Sequence, residues 1–545
     1  MKRLFLFFIT LFMVNSSSLE GQKNQSSPKL VVGIVVDQMR YDYLYRFNSL
    51  YSENGFKKLM KNGSNFTFAH FNYIPTYTGP GHASIYTGTT PYFHGIISNN
   101  WYDKKLKKII YCTSDKAYNT VGANNLRGRM SPKRLLSTTI TDQLKFATNG
   151  KSKVISVSIK DRAAILPGGH FPDGVYWYDP TSGGFITSSF YMKKLPGWVE
   201  EFNSMKLVDK YMSSDWELTF PLKKYWATLP DNEPYEEDLF SENKNTFPHS
   251  FKNISVSDKR DLLRSTPFGN KLLYDFSIAA LKNEKLGLGK YTDFLAVSFS
   301  STDYIGHSYG PNSVEVEDTY VKLDLLIAKL INELNKQVGE GNYILFLTSD
   351  HGVVENPNFL KKRNIPSGWV SSRVIRDSLK SFSKRKFNND NVIEKFSSKQ
   401  IFLNYSVINS LKLKIVNVRR EYAEYLLTTF PFIAQTFTRD DLIPYVANRA
   451  TTNLILNGFN PMLSGDVLLE FQPGFIPGSS SDHYTTHGSV YSYDTHVPLI
   501  FYGWNIPKQT INKPVYIVDI APTLADLLNI TEPSGNIGIP LIMKN

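Results

Sequence analysis

Cysteine is almost absent from this sequence: Cys112 is the single one among 545 residues. One thiol excludes an intrachain disulfide and a metal centre built from several thiolates. Because Cys112 lies far from the N-terminus, an anchor on a processed N-terminal cysteine is excluded as well. Any metal site of this protein must therefore use mainly oxygen and nitrogen ligands.

A membrane-spanning apolar run is also lacking at the N-terminus, where the run at residues 4–14 is too short to cross a bilayer. Met1, Lys2 and Arg3 precede this run and the polar sequence NSSS follows it, which is the pattern of a secretory signal peptide. We expect residues 1–21 to be this peptide, with cleavage near Gly21. The sequence thus predicts an exported protein, periplasmic or secreted, without a stable membrane anchor.

Strong clusters of one charge are few, although the chain carries a formal net charge of +12. Lysine and arginine are scattered, and no zinc-finger spacing or RNA-binding signature accompanies them. We therefore expect no nucleic acid partner, whereas small anionic substrates suit the charge. The sequence does not set the oligomeric state, and a monomer is compatible with it.

Short runs rich in valine, isoleucine and phenylalanine recur along the chain and are typical of buried strands. They lie at residues 30–36, 154–159, 294–299, 343–349 and 497–503. Residues 313–334 have apolar side chains at steps of three and four, and residues 518–530 have the pattern of another helix. This alternation predicts an α/β fold with a mainly parallel sheet flanked by helices on both faces.

Two long stretches interrupt the alternation. Residues 171–290 are rich in aromatic residues, proline and charge, and we expect them to be an insertion in the core. Residues 356–480 contain strand-like and helix-like pieces, which predict a small α/β cap. The expected organisation is a core at 22–355, the inserted cap at 356–480 and the C-terminal part of the core at 481–545.

Carboxylates and imidazoles occur where the predicted strands end, and ligands of such sheets bind beyond the carboxyl ends of the strands. Taken singly, each of these residues is more often a turn, cap or hydrogen-bonding residue. Taken together, oxygen and nitrogen ligands without thiolates suit Zn²⁺ in an open site, and six groups are enough for two ions. The six are Asp37, Asp303, His307, Asp350, His351 and His487.

A threonine, Thr78, precedes the segment GPGHASIYTG. Pro80 suits the first turn of a helix, which we expect to end at Gly88. Thr78 could be only the N-cap of that helix. The same position presents N–H groups to an anion, and a nearby Zn²⁺ would lower the pKa of the hydroxyl. The predicted metal ligands favour a role as nucleophile.

Lys160 and Arg162 flank Asp161, and side chains two residues apart point the same way in an extended chain. Both cations could then bind one phosphate, since Arg offers a planar fork and Lys a point charge. The alternative is an ordinary surface sequence. Asn99 could donate an amide hydrogen bond to the same anion, or could be only a turn residue.

Several segments together resemble the PafA-type alkaline phosphatases, a threonine-nucleophile branch of the alkaline phosphatase superfamily. They are VDQMR at Asp37, YIPTYTGPGHASIYTG around Thr78, IKDRAAILPGGH, STDYIGHSYGP, LTSDHG and THGSVYSYDTHVPLIFYG. The resemblance spans nearly the whole mature chain. It implies a phosphate monoesterase of broad specificity with two Zn²⁺ ions and a covalent phosphothreonine intermediate, which releases inorganic phosphate.

The resemblance also implies a role for each residue. One zinc would be held by Asp37, Thr78, Asp350 and His351, and the other by Asp303, His307 and His487. Asn99, Lys160 and Arg162 would contact the non-bridging phosphoryl oxygens. His483 is the alternative to His487, and we choose His487 because it precedes a glycine, as His351 does.

Two rival functions remain. A nucleotide pyrophosphatase/phosphodiesterase of the same superfamily shares the threonine and the six ligands, but it needs an apolar pocket where this chain has Lys160 and Arg162. A non-enzymatic exported protein that binds phosphorylated ligands would keep these cations without needing metal ligands. A sulfatase is disfavoured, because the sequence YCTSDK around Cys112 lacks the Cys-x-Pro-x-Arg context.

Overall fold

The computed structural model of the protein describes residues 27–240, 245–442, 450–479 and 484–543. The signal peptide expected at residues 1–21 and the alternative ligand His483 lie outside the described residues. Within these ranges, no helix combines the length and apolar character needed to cross a membrane.

The described chain alternates strands and helices. The strands are β1 (Leu30–Val36), β2 (Ser64–His70), β3 (Asn100–Asp103), β4 (Lys108–Tyr111), β5 (Thr120–Val121), β6 (Val154–Ser158), β7 (Gly174–Asp179), β8 (Gly184–Ser188), β9 (Asp293–Phe299), β10 (Tyr343–Thr348), β11 (Gly368–Val370), β12 (Ile393–Ser397), β13 (Gln400–Leu403), β14 (Ile433–Thr438), β15 (Val467–Phe471), β16 (Phe475–Pro477), β17 (His496–Gly503), β18 (Gln509–Ile511) and β19 (Val515–Tyr516).

The α-helices are α1 (Tyr43–Arg46), α2 (Phe56–Asn62), α3 (Thr78–Thr87), α4 (Pro91–His94), α5 (Ile140–Ala147), α6 (Asp161–Gly168), α7 (Gly197–Ser204), α8 (Leu207–Tyr211), α9 (Val256–Leu262), α10 (Pro267–Asn283), α11 (Ser301–Tyr309), α12 (Val314–Gln337), α13 (Pro357–Lys362), α14 (Ser372–Phe387), α15 (Tyr405–Ser410), α16 (Ile415–Thr429), α17 (Arg439–Leu442), α18 (Ala450–Gly458), α19 (Ser492–Thr495) and α20 (Ile520–Leu528). Short 3₁₀ turns lie at Asn48–Leu50, Leu222–Lys224, Leu263–Ser265 and Ile517–Asp519.

The main sheet has a parallel centre. Its order is β18-β2-β17-β10-β1-β9-β6-β7-β8-β5, with β19 also paired to β2. Strands β10, β1, β9, β6 and β7 pair in parallel, whereas β17 joins β10 and β2 antiparallel. This confirms the predicted α/β class with a mainly parallel sheet.

Both faces of the central strands are covered. In β1, Leu30, Val32 and Ile34 pack into the core that includes residues of α10 and α12, whereas Val31 and Val35 pack into the core that includes residues of α5 and α20. All seven residues of β1 are buried for this reason. A strand covered on both faces needs apolar side chains on both, which explains its continuous valine-rich run.

Residues 171–290, which we expected to interrupt the alternation, supply β7, β8 and the 17-residue helix α10. Strand β7 pairs in parallel with β6, and β8 returns antiparallel. The aromatic residues of this stretch suggested an insertion, but the tyrosine and tryptophan side chains of β7 are buried in the core of the protein.

Within residues 356–480, here called the cap, four strands form a separate antiparallel sheet in the order β12-β13-β15-β14. Helices α14 and α16 contribute to its own apolar core, which contains Ile401, Tyr422, Leu426 and Val467. The cap therefore has an interior independent of the main sheet.

Candidate active site

Four neighbouring parallel strands of the main sheet end at one edge, and each leads into predicted site residues. Asp37 directly follows β1, Asp350 follows β10, Lys160 follows β6, and helix α11 after β9 carries Asp303. Because β6, β9, β1 and β10 are adjacent, their carboxyl ends lie side by side. The order of the strands thus brings together residues that are far apart in the sequence.

Asp37, Asp350 and His351 form one compact group, and all three are fully buried. Each offers a ligand atom within 4.8 Å of the other two. The Nε2 atom of His351 lies 3.5 Å from Asp37 Oδ1 and 3.5 Å from Asp350 Oδ2, and none of these three atoms has a hydrogen-bond partner among the described residues. Buried polar atoms are nearly always paired, so three unpaired atoms this close together suit a cation.

A second group lies beside the first. Asp303, His351 and His487 also offer ligand atoms within 4.8 Å of one another. His307 lies one helical turn after Asp303, as its spacing predicted, with its Nε2 3.1 Å from Asp303 Oδ1. The His487 Nε2 is 3.7 Å from the same oxygen, and the rings of His351 and His487 stack at 3.4 Å. His351 thus belongs to both groups, whereas the family resemblance implies a place for it at one zinc only.

Each of the three histidines has its other ring nitrogen on a backbone carbonyl. The Nδ1 of His351 donates to Gly352, that of His307 to Thr485 and that of His487 to Thr76, at 3.0, 2.6 and 2.7 Å. A proton held on Nδ1 leaves the lone pair on Nε2, which is how metal-binding histidines are oriented. The donor set of carboxylates and imidazoles, without thiolates, fits zinc.

Burial and mutual repulsion control the protonation of the ligands. Burial and the charge of Asp350 raise the pKa of Asp37 well above its ordinary value, and burial raises the pKa of Asp350 to about 6. Burial lowers the pKa of His351 to about 3, so its ring is neutral. His307 and Lys160 overcome burial and hold the pKa of Asp303 well below its usual range. A bound cation would relieve the repulsion among these carboxylates.

Lys160 touches both groups. Its ammonium donates to Asp37 Oδ2 at 2.7 Å and to Asp303 Oδ2 at 2.5 Å, and its side chain is 2% exposed. Burial lowers the pKa of Lys160, but Asp303 and Asp37 outweigh it and raise the pKa above the ordinary value. The group is therefore a permanent cation at the centre of the site.

Thr78 is the first residue of α3, not its cap. The N-cap is Tyr77, which makes no side-chain capping bond, and the helix ends before Gly88 as expected. Pro80 is therefore the third helical residue, where its missing N–H is one of the unpaired groups of the first turn. The capping interpretation of Thr78 is wrong, and its Oγ1 instead accepts a hydrogen bond from Arg162 Nη2 at 3.3 Å.

Lys160 and Arg162 point into the site for a different reason from the one predicted. Lys160 is the N-cap residue of α6 and Arg162 is its second helical residue, so the expected extended chain is wrong. Arg162 Nη1 also donates to the hydroxyl of Tyr111 at 3.2 Å, and that hydroxyl donates to Asp161. Asn99 Oδ1 accepts from the N–H of Gly79 at 2.7 Å, which ties Asn99 to the start of α3. The structure thus brings all the described site residues to one edge.

Sequence reasoning missed two residues of this edge. Gln38 donates from Nε2 to Asp303 at 2.7 Å and from its backbone to Asp350 at 3.2 Å, which links the two groups. It adopts a φ of 64°, a strained value for a residue other than glycine. His82 donates from Nδ1 to the carbonyl of Thr78 at 2.9 Å. The contacts of Gln38 join segments far apart in the sequence, so no local pattern reveals them, whereas the contact of His82 lies within one turn of α3.

Known proteins resemble this chain along most of its length. Residues 31–488 match the type I phosphodiesterase / nucleotide pyrophosphatase family. The chain is 41% identical to alkaline phosphatase PafA of Elizabethkingia meningoseptica over 97% of both chains, and 41% identical to alkaline phosphatase PhoV of Synechococcus elongatus over 98% of both. The crystal structure of wild-type PafA superposes with a TM-score of 0.90 at 40% identity, covering 95% of this chain and 99% of that one.

Fold, site and relatives define a phosphoric ester hydrolase as the class of this protein. The chain belongs to the type I phosphodiesterase / nucleotide pyrophosphatase family and, within it, to the PafA-type alkaline phosphatases, which confirms the resemblance inferred from the sequence.

Proposed function

We propose that the protein is an exported, zinc-dependent alkaline phosphatase of broad specificity that hydrolyses phosphate monoesters through a phosphothreonine intermediate. The observation that carries the proposal is the meeting of two ligand groups at the edge where the Thr78 hydroxyl contacts Arg162. The relatives named as alkaline phosphatases support it. A solved variant of PafA replaces a threonine, an asparagine, a lysine and an arginine. These are the residue types, in the same order along the chain, of Thr78, Asn99, Lys160 and Arg162.

We assign the ligands in two sets. Asp37, Thr78, Asp350 and His351 would hold one Zn²⁺, and Asp303, His307 and His487 the other. Zinc in these positions would lower the pKa of the Thr78 hydroxyl and offset negative charge on the leaving-group oxygen.

Thr78 acts as the nucleophile in this mechanism. Its Oγ1 loses its proton and bonds to phosphorus as the bond from phosphorus to the leaving-group oxygen breaks, and that oxygen takes up a proton to leave as the alcohol. Water then loses a proton and bonds to the same phosphorus, the bond to Thr78 Oγ1 breaks, the threonine hydroxyl regains a proton, and inorganic phosphate leaves. The start of α3 presents its positive dipole end to the phosphoryl oxygens throughout.

Lys160, Arg162 and Asn99 select the substrate. A monoester dianion presents one more charged oxygen than a diester, and two cations at the phosphoryl position match that charge. Asn99 Oδ1 is engaged by Gly79, so its Nδ2 is the group left to donate to a phosphoryl oxygen. Small-molecule phosphate monoesters are thus the expected partners.

The test compares kcat/KM on an aryl phosphate monoester and on the methyl diester of the same phenol. We expect the monoester to be favoured by roughly 100-fold or more, because the diester lacks the charge that Lys160 and Arg162 stabilise. Chelation should remove the activity and zinc should restore it. A diester preference would indicate the phosphodiesterase activity of the wider family, and the absence of any turnover would favour a binding protein.

We also propose the arrangement of the whole chain. Residues 1–21 would be the signal peptide of a periplasmic or secreted protein, followed by the core at 22–355, the cap at 356–480 and the C-terminal core at 481–545. The separate apolar interior of the cap supports its treatment as a subdomain.

A further inference from the structure

The cap reaches the active-site edge through the tip of the hairpin that joins β12 and β13. Ser397 pairs with Gln400, which leaves Ser398 and Lys399 as a two-residue turn. Both turn residues have positive φ, 52° and 60°. Such turns favour asparagine and glycine, so a serine and a lysine here store backbone strain. We therefore examine whether the side chain of Lys399 makes contacts that offset this strain.

The ammonium group of Lys399 lies between the cap and the active-site edge, and its side chain is 13% exposed. It donates to Glu470 Oε2 at 2.8 Å and to the carbonyl of Gly488 at 3.1 Å. Burial lowers the pKa of Lys399, but Glu470 outweighs it and raises the pKa, so the lysine remains charged. Lys399 thus joins a cap strand to the residue after His487.

Core residues hold the segment around Gly488 on both sides. His487 Nδ1 donates to the Thr76 carbonyl, and the N–H and hydroxyl of Ser489 donate to Asp494 Oδ2 at 2.7 and 2.6 Å. Gly488 itself has a φ of 105°, and a Cβ there would lie 2.5 Å from the ring of Tyr77. The peptide between these two anchors receives its hydrogen bond from Lys399.

We propose that Lys399 is a positioning residue that fixes His487 for metal binding. The cap would in this way complete the second proposed zinc site, which consists of Asp303, His307 and His487. This inference rests on the proposed function. A charged hydrogen bond to the Gly488 carbonyl restrains the peptide between Gly488 and Ser489. Through Gly488 it limits the movement of His487, whose Nε2 lies 3.7 Å from Asp303 Oδ1. Groups that hydrogen-bond a metal ligand change metal affinity by about 10–100-fold, and Lys399 acts through the backbone beside the ligand, so the lower end of this range is expected.

The variants separate this role from simple ion pairing. Lys399→Met removes the donor at nearly the same volume, and Lys399→Arg keeps a charged donor. Lys399→Met combined with Glu470→Gln removes the pair without leaving a buried unpaired carboxylate. Lys395→Met removes an exposed lysine of the same hairpin and is the matched control.

Zinc dissociation constants are measured on the mature chain by competition with a chelating indicator, together with the melting temperature of the metal-free protein. We expect Lys399→Met to raise the dissociation constant of one of the two zinc ions by about 10-fold or more. The double variant should keep this raised dissociation constant, while the melting temperature of its metal-free form returns towards that of the wild type. Lys399→Arg and Lys395→Met should bind zinc as the wild type does.

Two results would overturn the inference. The first is that Lys399→Met binds both zinc ions as tightly as the wild type. The second is that the double variant regains zinc affinity along with stability, because the defect would then come from the buried Glu470 carboxylate left without its partner. A wild-type protein that binds no zinc would instead overturn the proposed metal centre itself, and this inference with it.

Discussion

The two halves of the candidate metal centre are built differently. Asp37, Asp350 and His351 lie just beyond the ends of the adjacent strands β1 and β10 and are fully buried. In the other half, Asp303 and His307 lie on a helix after β9, and His487 comes from a loop that follows the cap. The side chain of His307 is 29% exposed, whereas that of His351 is 0% exposed.

The rigidity of the two halves has different sources, which are strand pairing in the first and contacts from distant segments in the second. The pairing of β1 with β10 fixes the first half, because neighbouring parallel strands leave little freedom at their ends. The second half depends on the carbonyls of Thr76 and Thr485 and on Lys399, which belong to distant segments. We expect the first half to keep its metal when the second is disturbed.

The largest effect should follow from Thr78→Ala, which removes the proposed nucleophile beside the rigid half. Loss of a nucleophilic hydroxyl lowers kcat by roughly 10⁴-fold or more in hydrolases that form a covalent intermediate. Zinc should stay near two ions per chain, as elemental analysis would show, because the two carboxylates and the imidazole of that half remain and only a hydroxyl is lost. Thr78→Ser keeps a hydroxyl and should retain most of the activity. Unchanged turnover in Thr78→Ala would refute the assignment.

A pair of ligand variants tests the comparison itself. Asp350→Asn should lower activity about 10³-fold and leave one zinc per chain even at excess zinc, because a buried rigid half cannot rearrange to replace a ligand. His307→Gln should also lose zinc on dialysis, but excess zinc should restore much of its activity, because its half is more exposed. Zinc titrations of initial rates provide the measurement. Equal recovery in both variants would mean that the halves do not differ in rigidity.

The smallest effect concerns Lys160, the side chain that touches both halves. Lys160→Met should lower kcat/KM for a monoester by about 100-fold, since it removes a charge from the phosphoryl position. Its effect on the matching diester should be several times smaller. Lys151→Met, which removes an exposed lysine before the same strand, serves as the control. Equal losses on both substrates would contradict the role of Lys160 in monoester selection.

Local patterns predicted the elements that depend on burial. The runs at 30–36, 294–299 and 343–349 match β1, β9 and β10 to within one residue, because a strand covered on both faces must be apolar throughout. Elements set by tertiary contacts were missed: β7 and β8 lie in a stretch expected to be an insertion, and α6 begins where an extended chain was expected.

By itself, the sequence determined the α/β class and the residue types at the ends of the strands, because hydrophobic periodicity and the chemistry of ligands are local properties. It also carried the motifs that identify the family. Only the tertiary structure decided that Thr78 begins a helix without capping it, that Gln38 links the two ligand groups, and that Lys399 of the cap holds Gly488. The contacts of Gln38 and Lys399 join segments 265 and 89 residues apart, which strand order and cap packing bring within hydrogen-bonding distance. Thr78 is not the cap because the N–H of Gly81 bonds to the carbonyl of Tyr77.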